Sequence, residues 1–299
     1  MNRHAYLIIA HEQFEILKIA LSSLDSEYHD FFIHIDRRSQ NADLESIRSV
    51  VKKSKLTFVE RKKITWGGYS QIQCELDLLK ASLAGGYHFY HLLSGVDLPL
   101  KSANEIYHFF ESHSGKEFVQ FSSQSFLMDP YTCERIGLYH FLQDIVGRKK
   151  GFWYCLEKGL LKLQRILKVD RLSSSGLCLK GGANWFSITR ETAALVVSYE
   201  SWIRKHFQFS LCADELFLQT LLYESYKDAL PSILYSSADD ASACVRLIDW
   251  KRGSPYTFTA SDFEEILASD CMFARKFNWH SDPEICRILR DRVLKSNAE

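Results

Sequence analysis

Two apolar rhythms alternate along the first half of the chain. Short, nearly continuous apolar runs, the pattern of strands buried on both faces, occur at 5–10 (AYLIIA), 31–35 (FFIHI), 56–59 (LTFV) and 88–93 (HFYHLL). Between them apolar residues recur every three to four positions, as in Phe14, Leu17, Leu21 and Leu24. This predicts helices over about 12–24, 43–51 and 69–83, with another beginning near Asn104. Strand–helix alternation predicts an α/β fold with a mostly parallel central sheet flanked by helices. Such sheets take ligands at the carboxyl ends of their strands. His11, Asp36, the loop after Val59 and the Ser94-Gly95-Val96-Asp97 turn are therefore expected along one edge, with Pro99 blocking further pairing. Asp36 and the S-G-x-D sequence are equally read as turn formers.

The second half carries its own punctuation. In Leu211–Leu222 (LCADELFLQTLL) an acidic pair, Asp214-Glu215, sits at the mouth of an amphipathic helix. A carboxylate on a rigid element suits a general base, and it equally suits a helix cap. Trp66-Gly67-Gly68 reads as a tight loop whose backbone approaches a ligand closely, with Trp66 either stacking on a sugar or base or anchoring the loop. Ser261 and Glu264 form an expected capping box for a helix through about Ala268. A turn at Asp270 then returns Arg275-Lys276, flanked by Phe273 and Phe277, toward the sheet.

Composition narrows the class. Thirty-seven basic and thirty-seven acidic residues cancel, against a dedicated nucleic-acid binder. The eight cysteines are scattered without a C-x-x-C pair, so neither a zinc framework nor a dense disulfide scaffold is expected. No G-x-G-x-x-G or P-loop follows the first strand, which sets dehydrogenases and P-loop enzymes aside. The N-terminal run is too short to span a membrane. These features together give the expectation of a cytoplasmic protein of bacterial type, at most peripheral at the inner face of a membrane.

Five ordered segments carry a resemblance over nearly the whole chain: WGGYS with its helix, LLSGVDLPLKS, GGANWFSITRE, ADELFLQTLL, and RLIDWKRGSP with LASDCMFARKF. They resemble the core-2/I-branching β-1,6-N-acetylglucosaminyltransferase family, which includes peptide O-xylosyltransferases and bacterial relatives. The resemblance implies one GT-A-like domain over 1–299, with a nucleotide half over about 1–120 and an acceptor and catalytic half over about 121–299. It implies inverting, metal-independent transfer of a sugar, GlcNAc first and xylose next, from a UDP-sugar to a hydroxyl of a glycan acceptor. No cofactor or metal is expected, and the absence of a D-x-D sequence fits that. By the same resemblance Glu215 is the base, and Arg246, Arg275 and Lys276 hold the diphosphate. His11, Asp36, Trp66, Gly67, Ser94 and Asp97 surround the nucleotide, while Trp185, Trp250 and Asp214 face the acceptor. Residues 122–176 match least, although Tyr131–Arg135 lies where relatives place acceptor contacts. Two rival readings are a glycoside hydrolase pairing Glu215 with Asp97 and a non-catalytic nucleotide-sugar binding protein.

Overall fold

A computed structural model describes residues 2–123, 129–236 and 242–297. Its main sheet has six strands in the order β3-β2-β1-β4-β7-β6. Strands β1 (His4–Ala10), β2 (His29–Ile35), β3 (Lys55–Phe58) and β4 (Phe89–Ser94) are parallel, in register from His4 opposite His29 and Phe89. Strands β6 (Phe118–Val119) and β7 (Phe186–Thr189) close the sheet antiparallel. The sheet is mixed and mostly parallel, as its apolar runs predict.

Alternation along β1 explains the burial of both faces. Ala5 and Leu7 join one core with α3 (Tyr69–Leu83), while Tyr6 and Ile8 join a second with α1 (Phe14–Leu24) and α2 (Leu44–Ser49). The period of two sends successive side chains to opposite faces, each covered by a helix. Helix α4 (Ala103–Ser112) opens on a capping box in which Ser102 and Glu105 satisfy each other's backbone N–H groups.

A second sheet of three short strands lies at the edge of the first: β5 (Leu98–Pro99), β9 (Phe273–Arg275) and β8 (Arg246–Ile248) in that order. Pro99 pairs with Phe273 rather than ending the sheet, because β5 is an edge strand and its second side needs no donor. The helix expected behind Asp214-Glu215 runs from Phe217 to Tyr226. The capping box expected at Ser261–Glu264 is made two residues earlier, by Thr259 and Asp262. No helix among the described residues is long and apolar enough to cross a membrane.

Arg246 sits at the junction of the two sheets and is 2% exposed. Its Nη2 donates to the carbonyls of Leu92 (3.0 Å) and Phe186 (2.7 Å) and to Ser187 Oγ (3.2 Å), and its Nη1 to the Cys244 carbonyl. From Ser187 the hydrogen bonds continue to His91 Nδ1 (2.8 Å), from His91 Nε2 to His4 Nδ1 (3.1 Å), and from His4 Nε2 to Glu111 Oε1 (3.1 Å). Donor counting assigns the protons. Burial pushes the imidazole of His4 down to about 4 and that of His91 well below the ordinary value, so both are neutral. Glu111, ionised, can only accept, so His4 carries its proton on Nε2, His91 on Nε2, and Ser187 donates onward while accepting from Arg246. This single direction satisfies the two Nη atoms of Arg246 and every side chain from Ser187 to Glu111, while Arg246 Nε is buried without a hydrogen-bond partner among the described residues.

Arg246 is therefore consumed by the fold, which corrects its expected place on a diphosphate. Substituting it leaves buried carbonyls unpaired and breaks the chain at its source. Arg246→Ala is expected to cost about 3 kcal/mol or more, read as a lower urea midpoint at unchanged slope. A midpoint within error of wild type would contradict this role.

Candidate active site

Ala213–Glu215 forms one 3-10 turn entered through Cys212 in a left-handed conformation (φ 48°). Leu216 occupies the N-cap of the following helix and makes no side-chain cap bond. Neither carboxylate caps that helix, so the capping role weighed for this pair is absent. They diverge instead. Asp214 points inward, and Glu215 stays 40% exposed.

Arg135, on α5 (Pro130–Gly137), fixes the turn. It is buried, donates to the Leu211 carbonyl (3.1 Å) and the Cys212 carbonyl, and reaches Glu215 Oε2 at 2.6 Å. One carboxylate oxygen is thereby anchored, on a side chain that stays 40% exposed. On the inner side, Gln71 donates to Asp214 Oδ2 (2.9 Å) and Asn184 approaches it at 3.5 Å. Burial, then the Glu215 charge, raises the Asp214 carboxyl to about 7, with Arg135 opposing. Glu75, one turn beyond Gln71 on α3, is buried beside it. Burial and the Asp214 charge push its carboxyl well up.

The Gly181-Gly182 segment delivers Trp185 to the same turn. Gly182 N–H donates to the Glu215 carbonyl (2.9 Å), and a Cβ at Gly182 would lie 1.8 Å from the Gln120 carbonyl oxygen, so only glycine fits. Trp185, just before β7, lies under the Arg275 guanidinium with 4.1 Å from its carbon to the ring. Arg275 ends β9, and its Nε stands 3.7 Å from Asp97 Oδ1. The Nε and Nη1 atoms of Arg275 are buried and have no hydrogen-bond partner among the described residues. Segment 277–279 is held to the strand ends: Phe277 N–H donates to the Val96 carbonyl (3.1 Å) and Trp279 N–H to Gln13 Oε1 (3.0 Å). Lys276, half-buried, sits on this strap.

The remaining expected residues divide by what already occupies them. Asp36 is saturated: Arg38 grips both oxygens (2.9 and 2.7 Å), and the N–H groups of Arg38 (2.8 Å) and Ile64 (3.0 Å) complete the set. Burial would raise this carboxyl, but the hydrogen bonds from Arg38 and the backbone outweigh it and hold it near 2. It builds the loop, as the turn-former reading held. Asp97 is 2% exposed and accepts from Ser94 N–H (2.8 Å) and Ser94 Oγ, so both hold the turn beneath Arg275. The hydrolase pairing of Asp97 with Glu215 fails on that burial. Gly67, at φ +70°, brings its backbone to the protein rather than to open space, since its carbonyl accepts from Cys212 N–H at 2.8 Å. Trp66 remains exposed, with the Arg148 guanidinium 4.2 Å from its ring. His11 is exposed beside Glu12 (3.6 Å). Trp250 is exposed on the loop after β8, a loop that Arg252 ties to Asp249, Asp262 and Glu265. A group of His4, His88 and Glu111 has ligand atoms within 4.8 Å of one another. It belongs to the amino-terminal edge of β1 and β4, opposite this site.

A family model described as Core-2/I-Branching enzyme matches residues 4–272. The chain belongs to the Core-2/I-Branching enzyme family, whose members are glycosyltransferases. Among curated relatives, xylosyltransferase 2 of Canis lupus familiaris is 24% identical over 308 residues, covering 96% of this chain and 33% of the relative. Xylosyltransferase oxt of Drosophila pseudoobscura pseudoobscura is 25% identical over 279 residues, covering 86% and 29%. The chain thus spans about a third of the length of these relatives. Among solved structures, the apo form of mouse xyloside xylosyltransferase 1 aligns over 92% of this chain and 97% of that one, with a TM-score of 0.38 and 13% identity.

The Asp214 carboxyl generates a stability prediction with a definite sign. Folded protein keeps a proton that the unfolded chain releases between pH 3.8 and about 7. This group therefore costs stability as pH rises through that window, up to about 4 kcal/mol once fully ionised. Asp214→Asn keeps the shape and the Gln71 bond. Its melting temperature is expected to exceed that of wild type most at pH 8, by less near pH 5, and to match it only below the unfolded value of 3.8. A difference independent of pH would contradict the assignment.

Proposed function

We propose that this chain is an inverting, metal-independent glycosyltransferase that moves a sugar, GlcNAc in the first reading, from a UDP-sugar to a glycan hydroxyl. The observation that carries the proposal is Arg275: a guanidinium stacked on Trp185, beside Asp97 past the end of β4, with two buried N–H donors that have no hydrogen-bond partner among the described residues. Buried donors without acceptors are costly. A diphosphate oxygen supplies the missing acceptors, and the planar fork suits it.

In this mechanism the acceptor hydroxyl attacks the anomeric carbon while the bond to the diphosphate oxygen breaks. The electron pair leaves with UDP, and the hydroxyl proton passes to Glu215. Arg135 holds Oε2 and leaves Oε1 to receive it. Arg275 and Lys276 take up the charge that develops on the leaving group. Trp66 and Trp185 offer faces on which a base or sugar can stack. The xylosyltransferase relatives support UDP-xylose as a second donor reading.

Calorimetric titration with UDP in EDTA tests the clamp. Arg275→Ala and Lys276→Ala are each expected to weaken binding by roughly tenfold to a hundredfold. UDP binding that appears only with Mn²⁺ would overturn the metal-free clamp. Glu215→Gln is expected to leave UDP affinity unchanged and to lower UDP-sugar transfer by about 10² to 10⁴. Transfer at the wild-type rate in that variant would remove Glu215 as base.

A further inference from the structure

The helix that follows the site's rim is turned inside out. Helices of globular proteins bury an apolar stripe and expose polar residues. Helix α7 (Phe152–Ile166), which follows the short α6 (Gln143–Val146), instead buries Glu157, Leu161 and Gln164, spaced i, i+4, i+7. Two of these three are polar and are clamped to the 139–142 backbone: Leu142 N–H to Glu157 Oε2 at 3.1 Å, Tyr139 N–H to Gln164 Oε1 at 2.7 Å, and Gln164 Nε2 to the Tyr139 carbonyl at 2.9 Å. At 100° per residue, Phe152, Leu156, Leu163, Ile166 and Leu167 fall on one face, with Trp153 at its margin. That face is solvent-exposed, with Phe152 at 73%, Ile166 at 67% and Leu167 at 66%.

Charge around this apolar face is predominantly positive, with Glu134 offsetting Arg165. Residues 145–168 contain seven of the chain's basic residues and one acidic residue, Glu157, which is buried; the chain as a whole is balanced. Arg148, Lys149 and Lys150 precede the helix, and Lys158, Lys162 and Arg165 line one flank, all exposed. Exposed aromatic and aliphatic side chains beside a basic flank are the chemistry of a helix lying in the interface of an anionic bilayer. A second copy of this chain would bring the same positive charge against itself.

We propose that the exposed face of α7, with its Lys and Arg flank, docks this protein on an anionic phospholipid bilayer. The docked helix is wired to the site. Arg165 pairs bidentately with Glu134 (2.8 and 2.7 Å), and the next residue, Arg135, holds Glu215. On the other side Arg148 covers Trp66, whose carbonyl Gln143 grips at 2.8 Å. Docking thus sets the rim of the site at the lipid surface, where a membrane-tethered acceptor is within reach.

Vesicle flotation of the whole chain tests this, using phosphatidylcholine with and without phosphatidylglycerol at low and high salt. Binding is expected on the anionic vesicles and is expected to weaken as salt rises. Lys149→Ala with Lys150→Ala should weaken it by roughly tenfold to thirtyfold. Phe152→Ser with Ile166→Ser should weaken it about a hundredfold. These side chains are exposed, and unchanged UDP affinity and circular dichroism confirm that the variants fold. Absence of binding to either vesicle, or equal binding by wild type and variants, would overturn the proposal. So would a dimer in ultracentrifugation that the Phe152/Ile166 variant dissolves while no vesicle is bound.

Discussion

A buried cation at the seam between two sheets sets the rest of the architecture. Arg246 enters from β8 and donates to β4 and β7, so its guanidinium pins the short second sheet to the long one, beside the core that Phe273 shares with Tyr6 and Phe89. Because arginine can only donate, its position fixes the direction of the hydrogen bonds that run through Ser187, His91 and His4 to Glu111. Strand β9 pairs with β8, so the same anchor places Arg275 at the carboxyl edge. The two arginines look alike in the sequence and do opposite work. Arg246 commits both Nη atoms to carbonyls and Ser187 inside the seam; Arg275 leaves Nε and Nη1 without hydrogen-bond partners among the described residues.

The site follows a similar division of labour between adjacent residues. Asp214 and Glu215 are neighbours in the chain, yet one is folded into a neutralising pocket with Gln71 and Glu75 while the other stands at the surface on Arg135. An ion pair this close to a half-exposed carboxylate contributes little to stability. Its consequence is orientation, since it commits one oxygen and leaves the second. Trp185 does for Arg275 what Arg135 does for Glu215, holding a charged group still by its flat face.

How much of this was legible in the sequence depends on the range of the interactions. The parallel strands and α3 could be read directly, because continuous apolar runs and a 3.6-residue rhythm are local signals. Candidate positions at strand ends were legible as positions, though not as vacancies. Asp36 and Asp97 lie where the sheet logic puts ligands, but Arg38, Ile64 and Ser94 already fill them. Arg135 is legible only as part of the 131–135 segment where relatives place acceptor contacts, since nothing in its neighbours announces a partner eighty residues away. Glu75 left a fainter signal, a charged residue on the apolar side of α3 one turn from Gln71, which marks a polar partner across the core. The inverted face of α7 was visible only once its inner face was known, because periodicity shows that a helix is amphipathic and not which side looks out.

The most direct test of the central claim is a crystal structure with UDP bound in the absence of divalent metal. The expected result has a diphosphate oxygen within hydrogen-bond distance of Arg275 Nε or Nη1, the Trp185 stack intact, and Arg246 unmoved on its carbonyls. A diphosphate seated elsewhere, with the Arg275 donors still unpartnered, would contradict the account.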